Sequence, residues 1–377
     1  LIILQVIRDL GLGGAQTYLL KLSQGLIARG HRVIVASGGG EMTDDFINAG
    51  IPVLHVPTAG LKYLSAQKQL VEIIRREKVD VINAHHWSAG AACYLAARQT
   101  DVRYLLTVHG PRDAWQRFLV FYWSPQVLAL SPSTRENLVK QLHRPRTQVI
   151  ESFVGVDIES FSPGEPSGKI DREFGITSST PVILHISRFS ATKGRVTLAL
   201  IDSMRILAHT YPGLTTLIGG WGSLEEEINV RTLQINKELG YPAIHLMGRR
   251  NDIVELLRRA DAVVGTASFA CEAMATGRPV VAAGAKGYMG IVKADDDTKS
   301  WRQNWFGDHS ARGPVTGELL AYDLQMLLED KGLCQMLGNS GRTQMVNSFS
   351  LAQMILDMEN IYNSLTPMKK RQGKNRG

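Results

Sequence analysis

The apolar positions of this chain fall into short continuous runs rather than a strict alternation. Residues 2–7 (IILQVI), 32–37 (RVIVAS), 79–85 (VDVINAH), 103–109 (RYLLTVH) and 126–131 (QVLALS) are rich in Val, Ile and Leu. Strands of that kind are buried on both faces, as in a parallel sheet covered by helices. Between them lie an amphipathic helical stretch over 15–28 and an Ala-rich one over 88–98. Strand–helix alternation predicts right-handed βαβ units. The pattern breaks over 155–180, where Gly, Pro, Ser and Asp cluster, and this stretch reads as a linker. It then restarts with strand candidates at 181–187, 214–220, 243–248, 261–266 and 279–284. A last helical run over 350–365 places Leu351, Ile355, Met358 and Ile361 on one stripe. The expected layout is two doubly wound α/β domains, over 1–163 and 164–349, then a helix over 350–366 and a disordered tail over 367–377. In such folds ligands bind at the carboxyl ends of the strands.

Composition narrows the class. A length of 377 residues suits two or three domains at ~150 residues each. With 44% hydrophobic and 20% charged residues, the chain is neither disordered, collagen-like nor coiled-coil. No apolar run approaches the ~18 residues of a membrane span, and no leader-like pattern opens the sequence. Cys93, Cys271 and Cys334 form no C-x-x-C pair, so neither a disulfide framework nor a zinc site is expected. Those features fit a soluble protein of the reducing cytoplasm. The net charge is +7, but five of those charges are Lys369, Lys370, Arg371, Lys374 and Arg376, in a terminal segment without an acid. The body is therefore close to neutral and nucleic acid is not an expected partner. The tail by itself suits an anionic lipid surface or a nucleic acid equally, or simply aids solubility. Residues 111–125 interleave Arg112 and Arg117 with Trp115, Phe118, Phe121, Tyr122 and Trp123. They read either as a core or acceptor-pocket aromatic cluster or as an interfacial helix, and with the tail they raise peripheral contact with the inner face of a membrane.

Candidate chemistry sits at the strand ends. The turn DLGLGGAQ (9–16) carries Gly11, Gly13 and Gly14, which open backbone N–H groups to a phosphate at a helix start. A dinucleotide fingerprint fails there: Gln16 occupies the third glycine position, and Val35, Ala36 and Ser37 supply no acid for a ribose. In HISRFSATKG (185–194), Arg188 and Lys193 offer a fork and a point charge suited to a diphosphate, or else two solvated cations. Glu272, expected to open the helix after 261–266, could cap that helix or accept both ribose hydroxyls of a nucleotide. His85, His86 and His109 close two strands. The polar, aromatic stretch 287–316 holds Asp308 and His309 and reads first as a surface insertion. The adjacent carboxylates Asp295, Asp296 and Asp297 cannot all face one ion from a regular strand.

Taken in order, these segments resemble a GT-B glycosyltransferase, closest to the large retaining family numbered four (glycosyl transferases group 1). The resemblance covers nearly the whole length. It rests on GLGGAQ (11–16), DVINAHH (80–86), TVHG (107–110), ALSPSTRENLV (129–139), ESFVGVDIESFSP (151–163), SRFSATKG (187–194) and EAMATGRPVVAAG (272–284). It implies two Rossmann-like domains facing a central cleft, an acceptor-side N-terminal domain, a nucleotide-binding C-terminal domain, and a last helix that crosses back to the first. It further implies a nucleotide-sugar donor, UDP- or GDP-linked, a sugar or lipid-linked acceptor in cell-envelope glycan, lipopolysaccharide or glycolipid synthesis, and no cofactor or bound metal. By the same resemblance Gly13, Gly14, Arg188, Lys193 and Glu272 bind the donor. Arg188 and Lys193 offset charge on the leaving diphosphate, His109 stands near the transferred sugar, and Gln16, His85 and His86 lie on the acceptor side.

One departure from the family bears on stereochemistry. The first Glu of the family's E-x7-E would fall on Val264, in a segment shorter than usual. The short form is similar to inverting N-acetylglucosaminyltransferases that act on lipid intermediates. An inverting enzyme needs a general base, for which His109, His85 and Asp113 are candidates. A sugar-nucleotide epimerase and a catalytically silent GT-B scaffold are the alternative readings.

Overall fold

The computed structural model describes residues 1–58, 63–85, 87–111, 124–141, 143–293 and 313–368. His86, Asp113, most of 111–125, Asp295 to Asp297, Asp308, His309 and the basic tail from Lys369 lie outside the described residues. The chain divides into two compact units, Leu1–Gly155 with Leu351–Gly377, and Val156–Ser350.

The first unit alternates strand and helix: β1 (Ile2–Ile7), α1 (Gly14–Ala28), β2 (Arg32–Ser37), α2 (Thr43–Asn48), β3 (Val53–His55), α3 (Tyr63–Glu77), β4 (Val81–His85), α4 (Trp87–Thr100), β5 (Arg103–Val108), β6 (Val127–Ala129), α5 (Pro132–Lys140) and β7 (Val149–Glu151). Its described strands form one sheet, ordered β3-β2-β1-β4-β5-β6-β7 and parallel throughout. The apolar runs are buried on both faces because helices cover both. Leu4, Val6, Ile82 and Leu106 face a core shared with α3 and α4, while Ile7 and Val35 pack with Leu19 of α1 and Phe46 of α2.

The second unit contains α6 (Lys169–Phe174), β8 (Val182–Arg188), α7 (Gly194–Thr210), β9 (Thr215–Trp221), α8 (Glu225–Leu239), β10 (Ile244–Gly248), α9 (Ile253–Arg259), β11 (Ala262–Gly265), α10 (Ala267–Ala275), β12 (Val280–Gly284), β13 (Gly287–Ile291), α11 (Gly317–Glu329) and α12 (Lys331–Ser348). Its sheet runs β10-β9-β8-β11-β12-β13 and is parallel except for the β12–β13 pair. The final helix, α13 (Leu351–Ser364), belongs to the first unit. It buries Met354, Ile355, Met358 and Tyr362. Both units are therefore doubly wound α/β folds of the Rossmann type.

Three strands escape the sequence pattern. β3 and β7 have only three residues each, and β13 (GYMGI) is broken by glycines and pairs antiparallel. The stretch 155–180 is also more than a linker. It contains α6, which ion pairs dock onto the second unit: Asp171 with the buried Arg259, and Glu173 with Arg250. Arg259 further donates to the carbonyls of Thr177 and Thr180, at 2.9 and 2.8 Å. A Pro- and Gly-rich composition reports a lack of apolar periodicity, and the helix is held by these ion pairs together with the single buried side chain of Ile170.

Candidate active site

Each sheet reverses its strand order once, between β1 and β4 in the first unit and between β8 and β11 in the second. A crevice opens beyond the carboxyl ends of the strands at such a point. The sequence-predicted residues collect at these two places.

In the first unit the turn from Arg8 to Gly13 carries the chain from β1 into α1. Gly13 is the N-cap in extended conformation, no side chain caps the helix, and its first turn has no acid. The first amides of an uncapped helix are unused by the helix itself and carry its positive end, which favours an anion. A Cβ at Gly14 would meet nothing within 4 Å, so this surface is open. Gln16 is turned inward, and its Nε2 donates to the Asp9 backbone carbonyl and carboxylate at 3.2 and 3.3 Å. Asp9 also accepts from the Gly11 amide at 3.3 Å and from Arg8 Nε at 2.6 Å. Partial burial works to raise the Asp9 pKa, but these donors outweigh it and hold the carboxyl below its ordinary range. Asp9 therefore shapes the turn, a role its place in a glycine-rich motif did not reveal.

His85 ends β4 and His109 follows β5. Their rings meet, with His85 Nδ1 3.1 Å from His109 Nε2. The other nitrogen of His85, Nε2, lies 2.7 Å from Oε1 of Gln5, in the middle of β1. Gln5 Nε2 donates to the Tyr362 hydroxyl at 3.1 Å, and Asn83 Nδ2 donates to the same hydroxyl at 2.8 Å. Asn83 in turn accepts from Thr107 at 2.9 Å. Tyr18 of α1 packs edge-on to His109, with ring centroids 5.3 Å apart. His85 is fully buried, which drives its pKa down to about 3, so its ring is neutral. Its nitrogens meet protein partners inside the unit, so His85 lines no open acceptor surface. His109 is half-buried beside it. Gln5 was legible only as a lone polar residue within an apolar strand, and Tyr362 gave no signal at all.

In the second unit Arg188 is the last, exposed residue of β8, and Lys193 is the half-buried N-cap of α7. The loop between them is braced by close backbone contacts. Phe189 N–H donates to the Trp221 carbonyl and Leu224 N–H to the Phe189 carbonyl, at 2.8 and 2.9 Å. Gly220 and Gly222 adopt φ of 156° and 149°. A Cβ at Gly222 would come within 2.7 Å of the Phe189 backbone. Beneath the loop the buried His185 joins three elements, through the Val264 carbonyl of β11 at 2.8 Å and the Thr197 hydroxyl of α7 at 3.0 Å. Burial lowers its pKa to about 4.

Glu272 is not at a helix start. Helix α10 begins at Ala267, one residue after β11 ends, and Glu272 lies in its second turn, half-buried. Capping is thus excluded as its role. Val264 is a fully buried position within β11, so the spacing of the family's paired glutamates here falls inside a strand. Only Thr266 separates β11 from α10, and Ala267 has a φ of 52°, a tight passage with no room for a longer loop. Among the described residues no cluster of three His, Cys, Asp or Glu side chains could hold a metal, and no helix is long and apolar enough to cross a membrane.

Comparison with known proteins identifies the family. Residues 12–159 match the model of Glycosyltransferase Family 4, and residues 167–344 match that of Glycosyl transferases group 1. The chain is 28% identical over 333 residues to a D-inositol 3-phosphate glycosyltransferase of Xylanimonas cellulosilytica, covering 75% of this chain and 78% of the relative. It is 23% identical to UDP-Gal:alpha-D-GlcNAc-diphosphoundecaprenol alpha-1,3-galactosyltransferase of Escherichia coli, over 87% of this chain and 88% of the relative. The fold of Anabaena Alr3699/HepE, solved in complex with UDP, superposes with a TM-score of 0.78 at 20% identity, covering 97% of this chain and all of that one. The chain therefore belongs to the GT-B glycosyltransferases of the family-four, group 1 kind.

Proposed function

We propose that this glycosyltransferase takes a sugar from a nucleotide diphosphate donor, UDP- or GDP-linked, and passes it to a hydroxyl of a sugar or lipid-linked acceptor in envelope glycan or glycolipid synthesis. The observation that carries the donor assignment is the β8–α7 connection. It starts at Arg188, ends at Lys193, and flanks the point where the second sheet reverses. Two cations held on a braced loop are suited to the charge that grows on a leaving diphosphate. The Glu272 carboxylate, on the neighbouring α10, offers two acceptor oxygens to ribose hydroxyls. The uncapped start of α1, with Gly13 and Gly14, offers amides to a phosphate or to the acceptor. His109 serves the transferred sugar. The name of the E. coli relative, with its UDP-linked donor and diphosphoundecaprenol acceptor, favours the same two classes.

The test is a thermal-shift panel of UDP-, GDP-, ADP- and CMP-sugars, since a ligand bound only by the native state raises its melting temperature. One nucleotide class is expected to shift the melt. Arg188→Ala and Lys193→Ala are expected to cut turnover far more than nucleotide affinity. No shift with any donor, or full turnover in both variants, removes this reading. The family resemblance favours retention, which the anomeric NMR signal of the first product tests directly.

A further inference from the structure

A cavity of about 850 Å³ lies within the second unit, and none of the donor residues proposed above lines it. Its walls are the places where β8, β11 and β12 begin, marked by Pro181, Asp261 and Pro279, and one side of α12. Arg188 stands at the opposite end of β8. At ~3.3 Å per residue, the strand from Val182 to Arg188 sets the two places roughly 20 Å apart. Small-molecule sites usually enclose roughly 300–1,000 Å³, and this cavity is of that size.

Its chemistry centres on Arg278. That residue sits on the turn between α10 and β12, where Gly277 has a φ of 76°. The turn is pinned against α12, since a Cβ at Gly338 would lie 2.2 Å from the Gly277 carbonyl oxygen. The half-buried guanidinium is therefore carried on a rigid wall. Among the described residues its one hydrogen bond runs from Nη2 to the Arg258 carbonyl at 2.6 Å, and its buried Nε has no partner. Burial disfavours its charge, and Asp261 and Glu165 offset that only in part, so its pKa lies below the ordinary value. Both acids are exposed, and Asp261 already accepts from the Val182 amide at 2.8 Å and faces Arg259 at 3.6 Å. Arg342 is occupied by main chain, its Nη1 donating to the carbonyls of Ile158, Phe161 and Ala275 at 2.8, 3.0 and 2.9 Å. Lys331, exposed at the start of α12, has no ion pair among the described residues. Arg278 and Lys331 thus remain to meet an anion. From Lys331 onwards, Gln335, Asn339 and Thr343 follow at intervals of four, all exposed along one side of α12 and all lining the cavity.

We propose that this cavity binds a small phosphorylated sugar, with Arg278 and Lys331 on the phosphate and the α12 row on the hydroxyls. A phosphate monoester carries close to two negative charges at neutral pH, which two cations match better than one carboxylate would. The fork of Arg278 takes two phosphate oxygens, and Lys331 adds a point charge. Amides and a hydroxyl both donate and accept, as sugar hydroxyls require, and the Asp261 and Glu165 carboxylates add acceptors. Pro163, Pro279 and Leu328 supply an apolar wall for the C–H face of a ring. The site goes beyond the proposed function and does not depend on it.

The experiment uses the full chain carrying Arg188→Ala and Lys193→Ala, so that the donor cations cannot capture the probe. Glucose 1-phosphate, glucose 6-phosphate, inorganic phosphate, glucose and citrate are titrated by calorimetry, and hydrogen exchange maps the contact. A sugar phosphate is expected to bind more tightly than phosphate, glucose or citrate, and to slow exchange in 276–278 and 331–343. Arg278→Met in the same background is expected to weaken it ~10-fold or more, the loss of a charge-assisted bond. Lys331→Met should weaken it by a smaller factor, and its exposed position keeps that variant folded even if Arg278→Met is not. Melting temperatures without ligand check both variants. No binding of either sugar phosphate at millimolar concentration overturns the site. So does an affinity unchanged in the folded variants, or protection confined to other segments. Phosphate or citrate binding as tightly as the sugar phosphates overturns the sugar assignment. A failed nucleotide panel removes the donor reading and leaves this test intact, because the donor cations are absent from it.

Discussion

A methyl group at Gly14 meets open space, whereas one at Gly40 would lie 2.6 Å from the Gly11 amide nitrogen. Gly40 also has a φ of 152°, a conformation that L side chains rarely adopt. Around it the loop after β2 clamps the candidate phosphate turn. Leu10 N–H donates to the Gly39 carbonyl and Met42 N–H to the Leu10 carbonyl, both at 2.8 Å. Gly40 therefore serves the fold, while Gly14 is the one the proposed function assigns to a ligand. Gly40→Ala is expected to lower stability by ~1–3 kcal/mol through backbone strain and close contact, read as a reduced urea midpoint. Gly14→Ala is expected to leave that midpoint within about 0.5 kcal/mol of wild type while weakening donor or acceptor binding, since surface changes away from special contacts are mild. Equal loss of stability in both would show that Gly14 is a structural turn residue and no part of a binding surface.

At the scale of elements, the docking of α13 on α1 turns on one missing side chain. A Cβ at Gly25 would lie 2.6 Å from Ile355 Cγ1 and 3.3 Å from its Cγ2. Gly to Ala inside a helix ordinarily gains ~1 kcal/mol of propensity. Here overpacking by ~1–3 kcal/mol should win, because a β-branched neighbour cannot swing both branches away. Gly25→Ala is expected to destabilise the protein, and adding Ile355→Ala should recover part of that loss, a coupling that a double-mutant cycle measures. If the two effects simply add, the helices do not depend on this contact. Polar contacts finish the seam, with Glu359 of α13 bonded to His31 at 2.9 Å and to Arg29.

The same scale shows how much could be read in advance. Long buried strands such as β1, β4, β8 and β9 announce themselves by continuous apolar runs, and so did the tandem α/β plan. β3 and β7 are too short to carry a period, and so is α6, whose six residues bury only Ile170 beside its ion pairs. The candidate site followed the same division. His85, His109 and Arg188 stand out because strand ends in this architecture are privileged positions, and Lys193 because it sits where the following helix starts. The Gln5–Tyr362 pairing was not, because its partners are 357 positions apart and meet only through the return of the final helix.

In the molecule as a whole, each unit buries one neutral histidine near the reversal of its sheet. His85 has a pKa of about 3 and His185 of about 4, both lowered from 6.5 by burial. The half-buried His245 is lowered in the same direction, also by burial. An unfolded chain protonates these rings near pH 6.5 while the folded chain does not, so the unfolded state holds more protons below that pH. Stability is accordingly full above pH 6.5 and declines as pH falls towards the folded values, by ~1.4 kcal/mol per pH unit for each such ring. The carboxylates act lower down. Asp252, held at about 2 chiefly by Arg250 and further by Lys169, retains its contribution above its ordinary 3.8 and loses it only as pH falls through about 2. The glutamates lowered from 4.5, such as Glu173 and Glu238, begin to lose theirs only as pH nears that value, so the window from pH 6.5 to 5.5 isolates the histidines. Urea unfolding followed by hydrogen exchange should show protection falling in both units across that window. His185→Gln should reduce the response of Val156–Ser350 to the share carried by His245 and leave that of the first unit intact. A second unit as pH-sensitive in His185→Gln as in wild type would mean that some other group, not this ring beneath the Arg188–Lys193 loop, takes up the proton.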